Sequence, residues 1–447
     1  MTVEHINQLY QQKRFDEAEQ AAKQLLHHEP HNVDALYVFA LVMQAQMQFA
    51  KALELILKLL ELNPNHLFAH TVLTFCCAQL GLADLALPYL QRREQSNVAG
   101  EQSWLAGLYT NLAMYDKALS IQQAASLAHP DDPYAQYTMG TIQMAAGQTA
   151  VGMLNYRHLA SRKMFRTFRQ DLLNQGWNVE QYWEGESVVG KTILLFPVGG
   201  YGDYMQFCRY VKGLKALGAK RILGLVYNHR IHGLLRSCAD LEIIDNHNGH
   251  EFDCWTDPFG LCAYLHPKFG YLAQPKYLTA PVSASAEELV QNIRIRAAGR
   301  RCIGLAWHSE THDAVGRNIP LANLLPLFGM PNVHWVIFQR GVALTEFQNT
   351  GLASLCTVVD EDVTFDEAAA IVSGLDGVAS IDSFMTHLSG SIGQKVYFLA
   401  GRSLDWRHMN EETVSLWYPN TTIIRQPTLG DWRGVIQQLQ VDLNLSI

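Results

Sequence analysis

The sequence predicts a helical solenoid followed by an α/β half made of two Rossmann-like lobes, and three observations carry that expectation. A pattern of alanines and prolines recurs through roughly the first 155 residues. From about residue 188 the texture changes to short apolar runs that alternate with helix-like stretches. Near residue 300 the alternation starts again, after the Pro-containing stretch AQPKYLTAPVSAS.

The repeat comes first along the chain. Alanines stand at Ala18, Ala52, Ala86, Ala118 and Ala150, at spacings of 34, 34, 32 and 32, and prolines at Pro30, Pro64 and Pro130. The segments FDEAEQAAKQLLHHEP, FAKALELILKLLELNP and YDKALSIQQAASLAHP each read as an amphipathic second helix stopped by a proline. A small residue where paired helices cross, with a proline after the second helix, resembles the tetratricopeptide repeat (TPR). About four repeats and part of a fifth cover residues 3–160, and the third has Val98 where a proline is expected. Such arrays stack into a curved solenoid whose concave face commonly holds a peptide or protein segment.

In the second half, KTILLF and RILGLVY read as strands, with DYMQFCRYVKGLKAL and NHRIHGLLRSC as the helices that follow them. RCIGLAW, NVHWVIFQ, GVASID and KVYFLA are strands of the second series. Helical segments such as PLANLLPLF and FDEAAAIVSG separate them, and GDWRGVIQQLQVDL forms one last helix. Alternating β and α argues for parallel, doubly wound sheets that bind ligands outside the carboxyl ends of their strands. The expected division is a solenoid over 1–160, a connecting segment over 161–187, a first lobe over 188–285 and a second lobe with the final helix over 286–447.

Composition narrows the class. Charged residues make up 17%, below the usual quarter, which fits sizeable cores and apolar surfaces used in assembly, including a homo-oligomer. A net charge of −8 provides no basic footprint and speaks against nucleic acid as a partner. The opening MTVEHINQLYQQKRFDEAE lacks the apolar core of a signal peptide, and no run is apolar for long enough to span a membrane. The eight cysteines form no C-x-x-C pair. They read as free, mostly buried thiols in a reducing compartment, so a cytoplasmic protein is expected.

Three stretches can carry chemistry. In GGYGD, after the strand TILLF, Gly199, Gly200 and Gly202 can adopt positive φ and leave no Cβ in the way of a ligand. The spacing is not G-x-G-x-x-G, so the dinucleotide fingerprint is not met. Asp203 as N-cap, with Gln206 three residues on, has the spacing of a capping box; as a carboxylate at a cleft it could instead take the proton of an attacking hydroxyl. On this reading one residue serves only one of these at a time.

The second stretch is ASIDSFMTHLSGSIGQKVYFLAG. A strand ends at Asp382, and Ser383, Thr386 and His387 sit at the head of a helix running to about Ile392. A helix N-terminus suits phosphate, whereas a lone His there can simply pack against the sheet. In AWHSETHDAVGRNIP, the residues His308, Glu310, His312 and Asp313 form either a metal site or a solvated loop. Arg317 beyond them either holds a diphosphate or makes a surface ion pair.

Taken together, the pieces YWEGESVVGKTILLF, GYGDYMQFCRYV, IGLAWHS, GRNIPLANLLPL, SIDSFMTHLSGSIGQKVYFL, DWR and LWYPNTTIIRQPTLGDW resemble a known family. These are bacterial proteins that fuse TPRs to a heptosyltransferase-like, family 9 glycosyltransferase domain, and the match runs over residues 180–435. The layout is also distantly similar to O-GlcNAc transferases. The resemblance implies a TPR solenoid followed by a GT-B domain of two Rossmann-like lobes. It further implies inverting sugar transfer from a nucleotide-sugar co-substrate, with no metal and no other cofactor.

Position by position, the resemblance makes Asp203 the acceptor-activating base, with Gly199, Gly200, Gly202 and Gln206 on the acceptor-side loop. Arg317, Asp382, Ser383, Thr386, His387, Trp307 and Gln339 form the implied donor and phosphate set. The implied partner is a protein acceptor, flagellin or another surface protein, glycosylated on Ser or Thr while held by the solenoid. A lipopolysaccharide acceptor and a non-catalytic TPR scaffold are the alternatives. The chain departs from the family pattern with PVGG before GYGD, WHSE after its strand, and Arg317-Asn318 in place of Arg-Ser.

Overall fold

The computed structural model describes residues 2–96, 100–160, 172–173, 176–309, 316–403, 405–408 and 413–445. Val98, Glu310, His312 and Asp313 lie outside the described residues. Ten described helices build the solenoid: α1 Val3–Gln11, α2 Phe15–His28, α3 Val33–Ala45, α4 Phe49–Leu62, α5 Leu67–Leu80, α6 Ala83–Ser96, α7 Gln102–Asn111, α8 Tyr115–Ala128, α9 Pro133–Ala145 and α10 Thr149–Ala160. Asn32, His66 and Asp132 cap α3, α5 and α9 by accepting the N–H of Ala35, Ala69 and Tyr134. Pro30, Pro64 and Pro130 fall two residues beyond α2, α4 and α8, where their missing N–H breaks no helical bond. Ala18, Ala52, Ala86 and Ala118 are fully buried, as expected of helix crossings.

The fifth pair corrects the repeat register. Ala150 is exposed on α10, and the crossing is made by Gly152, 34 residues after Ala118. A Cβ on Gly152 would stand 2.7 Å from the carbonyl oxygen of Gly140, and one on Gly140 would stand 2.6 Å from the backbone N of Tyr156. Here α9 and α10 touch backbone to backbone, which even alanine is too large to allow.

The α/β half contains two parallel sheets. The first holds β1 Thr192–Leu195, β2 Arg221–Leu225, β3 Glu242–Ile244 and β4 Cys254–Thr256, in the order β3-β2-β1-β4. The second holds β5 Arg301–Ala306, β6 Val333–Ile337, β7 Thr357–Val358, β8 Gly377–Ser380, β9 Val396–Ala400 and β10 Thr421–Arg425, in the order β10-β9-β8-β5-β6-β7. Each sheet is doubly wound and reverses direction beside its first strand, between β1 and β4 and between β5 and β8. Those reversals open a crevice at the strand carboxyl ends.

The helix expected over DYMQFCRYVKGLKAL is broken into Tyr201–Phe207, a 3₁₀ turn Cys208–Tyr210 and Val211–Ala216. Arg209, buried in that turn, bonds back to the Gln206 carbonyl and across to the Trp417 carbonyl at 2.6 Å. Likewise NHRIHGLLRSC is a 3₁₀ turn, His229–Ile231, followed by the short helix His232–Arg236.

Solenoid and lobes share one apolar core in which Tyr115, Met153 and Tyr156 meet Phe207, Leu261, Trp406 and Trp417. The Tyr156 and Trp406 rings lie 4.9 Å apart. Among the described residues no helix is long and apolar enough to cross a membrane. All eight cysteines are buried and unpaired.

The crowding at Gly140 sets a test. Gly140→Ala is expected to destabilise the protein by about 1–3 kcal/mol through overpacking. Gly107→Ala, in α7 with nothing within 4 Å of its added Cβ, should be neutral or stabilising by up to about 1 kcal/mol. Denaturant unfolding of the two variants measures the contrast.

Candidate active site

The two sheet reversals face each other. On the first lobe, only Gly199 of the three loop glycines has positive φ, at 82°; Gly200 sits at −85° and caps the helix Tyr201–Phe207. Asp203 is therefore not the N-cap. It is the third helical residue, and its Oδ2 accepts the Gly200 N–H at 2.7 Å. The reciprocal partner expected in Gln206 does something else, accepting from Arg407 Nη1 at 3.2 Å. The Gln206 Nε2 is buried without a partner among the described residues. Gly202 is required by the lobe contact, because a Cβ there would stand 2.8 Å from the His387 ring.

Arg407 joins the lobes. Its Nη1 donates to Asp203 Oδ1 at 2.5 Å and its Nε to Asp405 Oδ1 at 2.7 Å; Arg407 and Asp203 are largely buried and Asp405 is partly exposed. Burial works against the guanidinium charge, but Asp405, Asp203 and Asp382 outweigh it and hold the Arg407 pKa well above its ordinary value. Sequence reasoning assigned Arg407 no role, although the segment DWR that contains it was among the matching pieces.

On the second lobe, Asp382 follows β8 and is buried between two imidazoles. His408 Nε2 lies 3.1 Å and His387 Nε2 3.6 Å from its Oδ1. Burial raises the Asp382 pKa, yet His408, His387 and Arg407 together hold it well below the usual carboxylate range. Burial lowers the His387 pKa despite Asp382, and its Nδ1 meets the Tyr418 hydroxyl at 2.9 Å.

The remaining implied donor residues divide. Ser383 caps the helix Phe384–Ser391 and lines a pocket, while Thr386 is buried with its hydroxyl on the Ile381 carbonyl at 2.7 Å. The Trp307 ring lies in the core near Phe347, away from that pocket. Gln339 accepts the N–H of Trp307 and of His308 and donates to the His308 carbonyl, so its amide fixes the chain after β5. Arg317, partly buried, bonds the Asp382 carbonyl at 3.2 Å and Ser309 Oγ at 3.2 Å. Asn318 clamps the Ser309 backbone from both sides.

Two cavities meet at this clamped loop. One of about 460 Å³ lies at the carboxyl ends of β5 to β8 and is lined by Phe338, Arg340, Asp360, Glu361, Ser383 and Phe384, among others. The other, about 690 Å³, lies on the solenoid beneath Tyr10, Phe15, Tyr37, Phe49, Phe68 and Phe75. His308 and Ser309 line both. Sequence reasoning missed Arg340, Asp360 and Glu361, which carry no motif and become neighbours only through the sheet order; Asn318 stood in the sequence only as a departure from the family pattern, with no role assigned.

Fold and cleft thus define a chain in which a TPR-like solenoid is joined to two facing, doubly wound lobes. A family model described as anaphase-promoting complex, cyclosome, subunit 3 matches residues 11–93. Protein FlbA of Caulobacter vibrioides is 21% identical over 382 residues, which cover 74% of this chain and 64% of FlbA. This chain therefore spans less than two thirds of that relative's length. Among solved structures, a family 9 glycosyl transferase from Veillonella parvula aligns with 59% of this chain and 99% of its own, at TM-score 0.44 and 11% identity. MamA aligns with 38% of this chain and 97% of its own at TM-score 0.29 and 18% identity. YrrB, described as a TPR protein with an unusual peptide-binding site, aligns with 38% of this chain and 90% of its own at TM-score 0.28 and 18% identity.

The buried charges set the acid response. Asp382, with a depressed folded pKa, contributes stability that is present above about pH 4 and lost only as pH falls through its lower folded value. His387, also depressed, contributes stability that is present above about pH 6.5 and lost as pH falls from there toward its folded value. The lobe contact is expected to weaken first through His387. Denaturant unfolding at about pH 7.5 and about pH 5 should show that loss, and His387→Gln should flatten it.

Proposed function

We propose that this chain is a glycosyltransferase that moves a sugar from a nucleotide-sugar to a hydroxyl of a protein segment held in the solenoid groove. The observation that carries the reading is the shared wall, His308 and Ser309, between the aromatic groove and the pocket at the β5/β8 reversal. At about 460 Å³ the pocket is of ordinary ligand size. Asp360 and Glu361 offer acceptors to a ribose, and Phe338 and Phe384 offer apolar surface to a base. Arg340 and the N–H groups beside Ser383 suit a diphosphate.

In this reading Asp203 Oδ1 takes the proton of a Ser or Thr hydroxyl as its oxygen attacks the anomeric carbon. The bond from that carbon to the diphosphate oxygen breaks, and the leaving nucleotide keeps the electron pair. The stereochemistry inverts and no metal takes part. Arg407 first has to leave Asp203, and a bound diphosphate is the anion able to draw it away. His387 and Gln339 are positioning residues, the one holding the lobe contact and the other the loop after β5.

Asp203→Asn is expected to lower the transfer rate by about 10²–10⁴-fold in protein that stays folded at the assay temperature; a rate near that of the parent protein would end the assignment. The rival reading is a TPR scaffold with an inactive transferase half. It draws on the occupation of both Asp203 oxygens, by Gly200 and by Arg407. Titration with a panel of nucleotide-sugars separates the two, since a scaffold binds none and turns none over.

The groove carries its own test. Removing the solenoid would strip the shared core, so point changes are needed. Phe68, 61% exposed in the groove, changed to Ala should raise the KM for the protein acceptor while leaving donor hydrolysis unchanged. A lipopolysaccharide acceptor would be indifferent to that change.

A further inference from the structure

The first lobe carries a cluster unconnected with the cleft chemistry. β2 runs out through Val226 into the 3₁₀ turn His229–Ile231 and the helix His232–Arg236, and β3 ends just before Asp245. The Nδ1 atoms of His229 and His232 lie 3.4 and 3.3 Å from the same oxygen, Asp245 Oδ1, and all three atoms lie within 4.8 Å of one another. His232 is buried, while His229 and Asp245 face solvent.

The tautomer of His232 is fixed by its other nitrogen. Nε2 meets the Val226 carbonyl at 2.8 Å. A carbonyl can only accept, so Nε2 carries a hydrogen, and Nδ1 is the ring atom left to face the carboxylate oxygen. Two acceptors facing each other at 3.3 Å repel unless a proton or a metal cation stands between them. Backbone fixation of the far nitrogen is also the usual outer support of a metal-bound imidazole. Ligand atoms about 2.0–2.1 Å from a tetrahedral zinc ion stand about 3.3–3.4 Å apart, which is the spacing of both nitrogen–oxygen pairs here.

We propose that His229 Nδ1, His232 Nδ1 and Asp245 Oδ1 bind one divalent transition-metal ion of the zinc type, with solvent in the fourth position. The ion would tie the end of β3 to the turn after β2. That turn leads into the backbone N–H groups of Gly233 and Leu234, which bond the two carboxylate oxygens of Asp366 on the second lobe at 2.8 and 2.7 Å. Arg230, within the same turn, bonds the Asp362 carbonyl. The metal would therefore brace a strut between the lobes, away from the pocket and without a part in group transfer.

The test uses the full-length protein after chelator treatment, titrated calorimetrically with Zn²⁺ alone and spectroscopically with Co²⁺ alone. One Zn²⁺ per chain is expected, together with visible Co²⁺ absorption of a nitrogen- and oxygen-ligated site. His229→Ala and Asp245→Asn, both at exposed positions, should each weaken Zn²⁺ binding by at least about tenfold and abolish the Co²⁺ signal. Zn²⁺ should raise the midpoint of thermal unfolding in the parent protein and not in the variants. Failure of the parent to take up Zn²⁺, or equal uptake by parent and variants, would overturn the proposal and leave the cluster as an imidazole–carboxylate ion pair.

Discussion

Where the helix Tyr201–Phe207 lies against the His387 ring, the two lobes touch at a glycine that leaves no room for a methyl group, and Arg407 sits beside that contact with its charge buried. A buried guanidinium is tolerable only when its desolvation is offset by nearby carboxylates and hydrogen bonds. Asp203 comes from one lobe, and Asp405 and Asp382 come from the other. Parting the lobes would leave Arg407 short of a partner and would expose the ring face now covered by Gly202. The cleft is thus held by an electrostatic requirement as much as by apolar packing.

The same junction positions the solenoid. Trp406, next to Arg407 in sequence, carries its ring to within 4.9 Å of Tyr156 on α10, and Ser403 Oγ donates to the Thr110 carbonyl at the end of α7. The segment that supplies the cleft cation therefore also receives the helical repeats. The loop after β5 is fixed separately, by Gln339 on one side and Asn318 on the other. Solenoid and pocket consequently meet across two residues whose backbone has little freedom. That is the arrangement required if a segment lying in the groove is to present a side chain to the pocket.

The sequence made the coarse architecture legible because both halves are periodic: a helical repeat with small residues at its crossings, then apolar runs long enough to fill a sheet. What stayed hidden was short or non-local. β3, β4 and β7 are only two or three residues long, too short for any alternation to register. The fifth crossing was misread at Ala150 because the small residue used there is a glycine two positions on. Asp382 and His387 were found because both sit in one segment at a strand end. Arg407 and Asn318 stand in matching pieces but were assigned no role: the Asp203 partner of Arg407 lies far away along the chain, and the Asn318 clamp on Ser309 exists only once the loop is folded.

Asp203 is where local and tertiary readings had been set against each other, as helix cap or as base. The opposition assumed that a carboxylate acts as a unit, and the geometry removes that assumption. Oδ2 is directed at the Gly200 N–H, a bond the helix start needs whether or not any reaction occurs. Oδ1 points the other way, into the cleft, where its partner belongs to the other lobe. Capping fixes the orientation of the side chain and so aims the second oxygen. Under the proposed function the cap is thus a condition for the base. A guanidinium occupies Oδ1 until an anion of greater charge than a carboxylate, such as a diphosphate, competes for Arg407. The base would then be exposed only when a donor is in place, which disfavours proton transfer in the empty cleft.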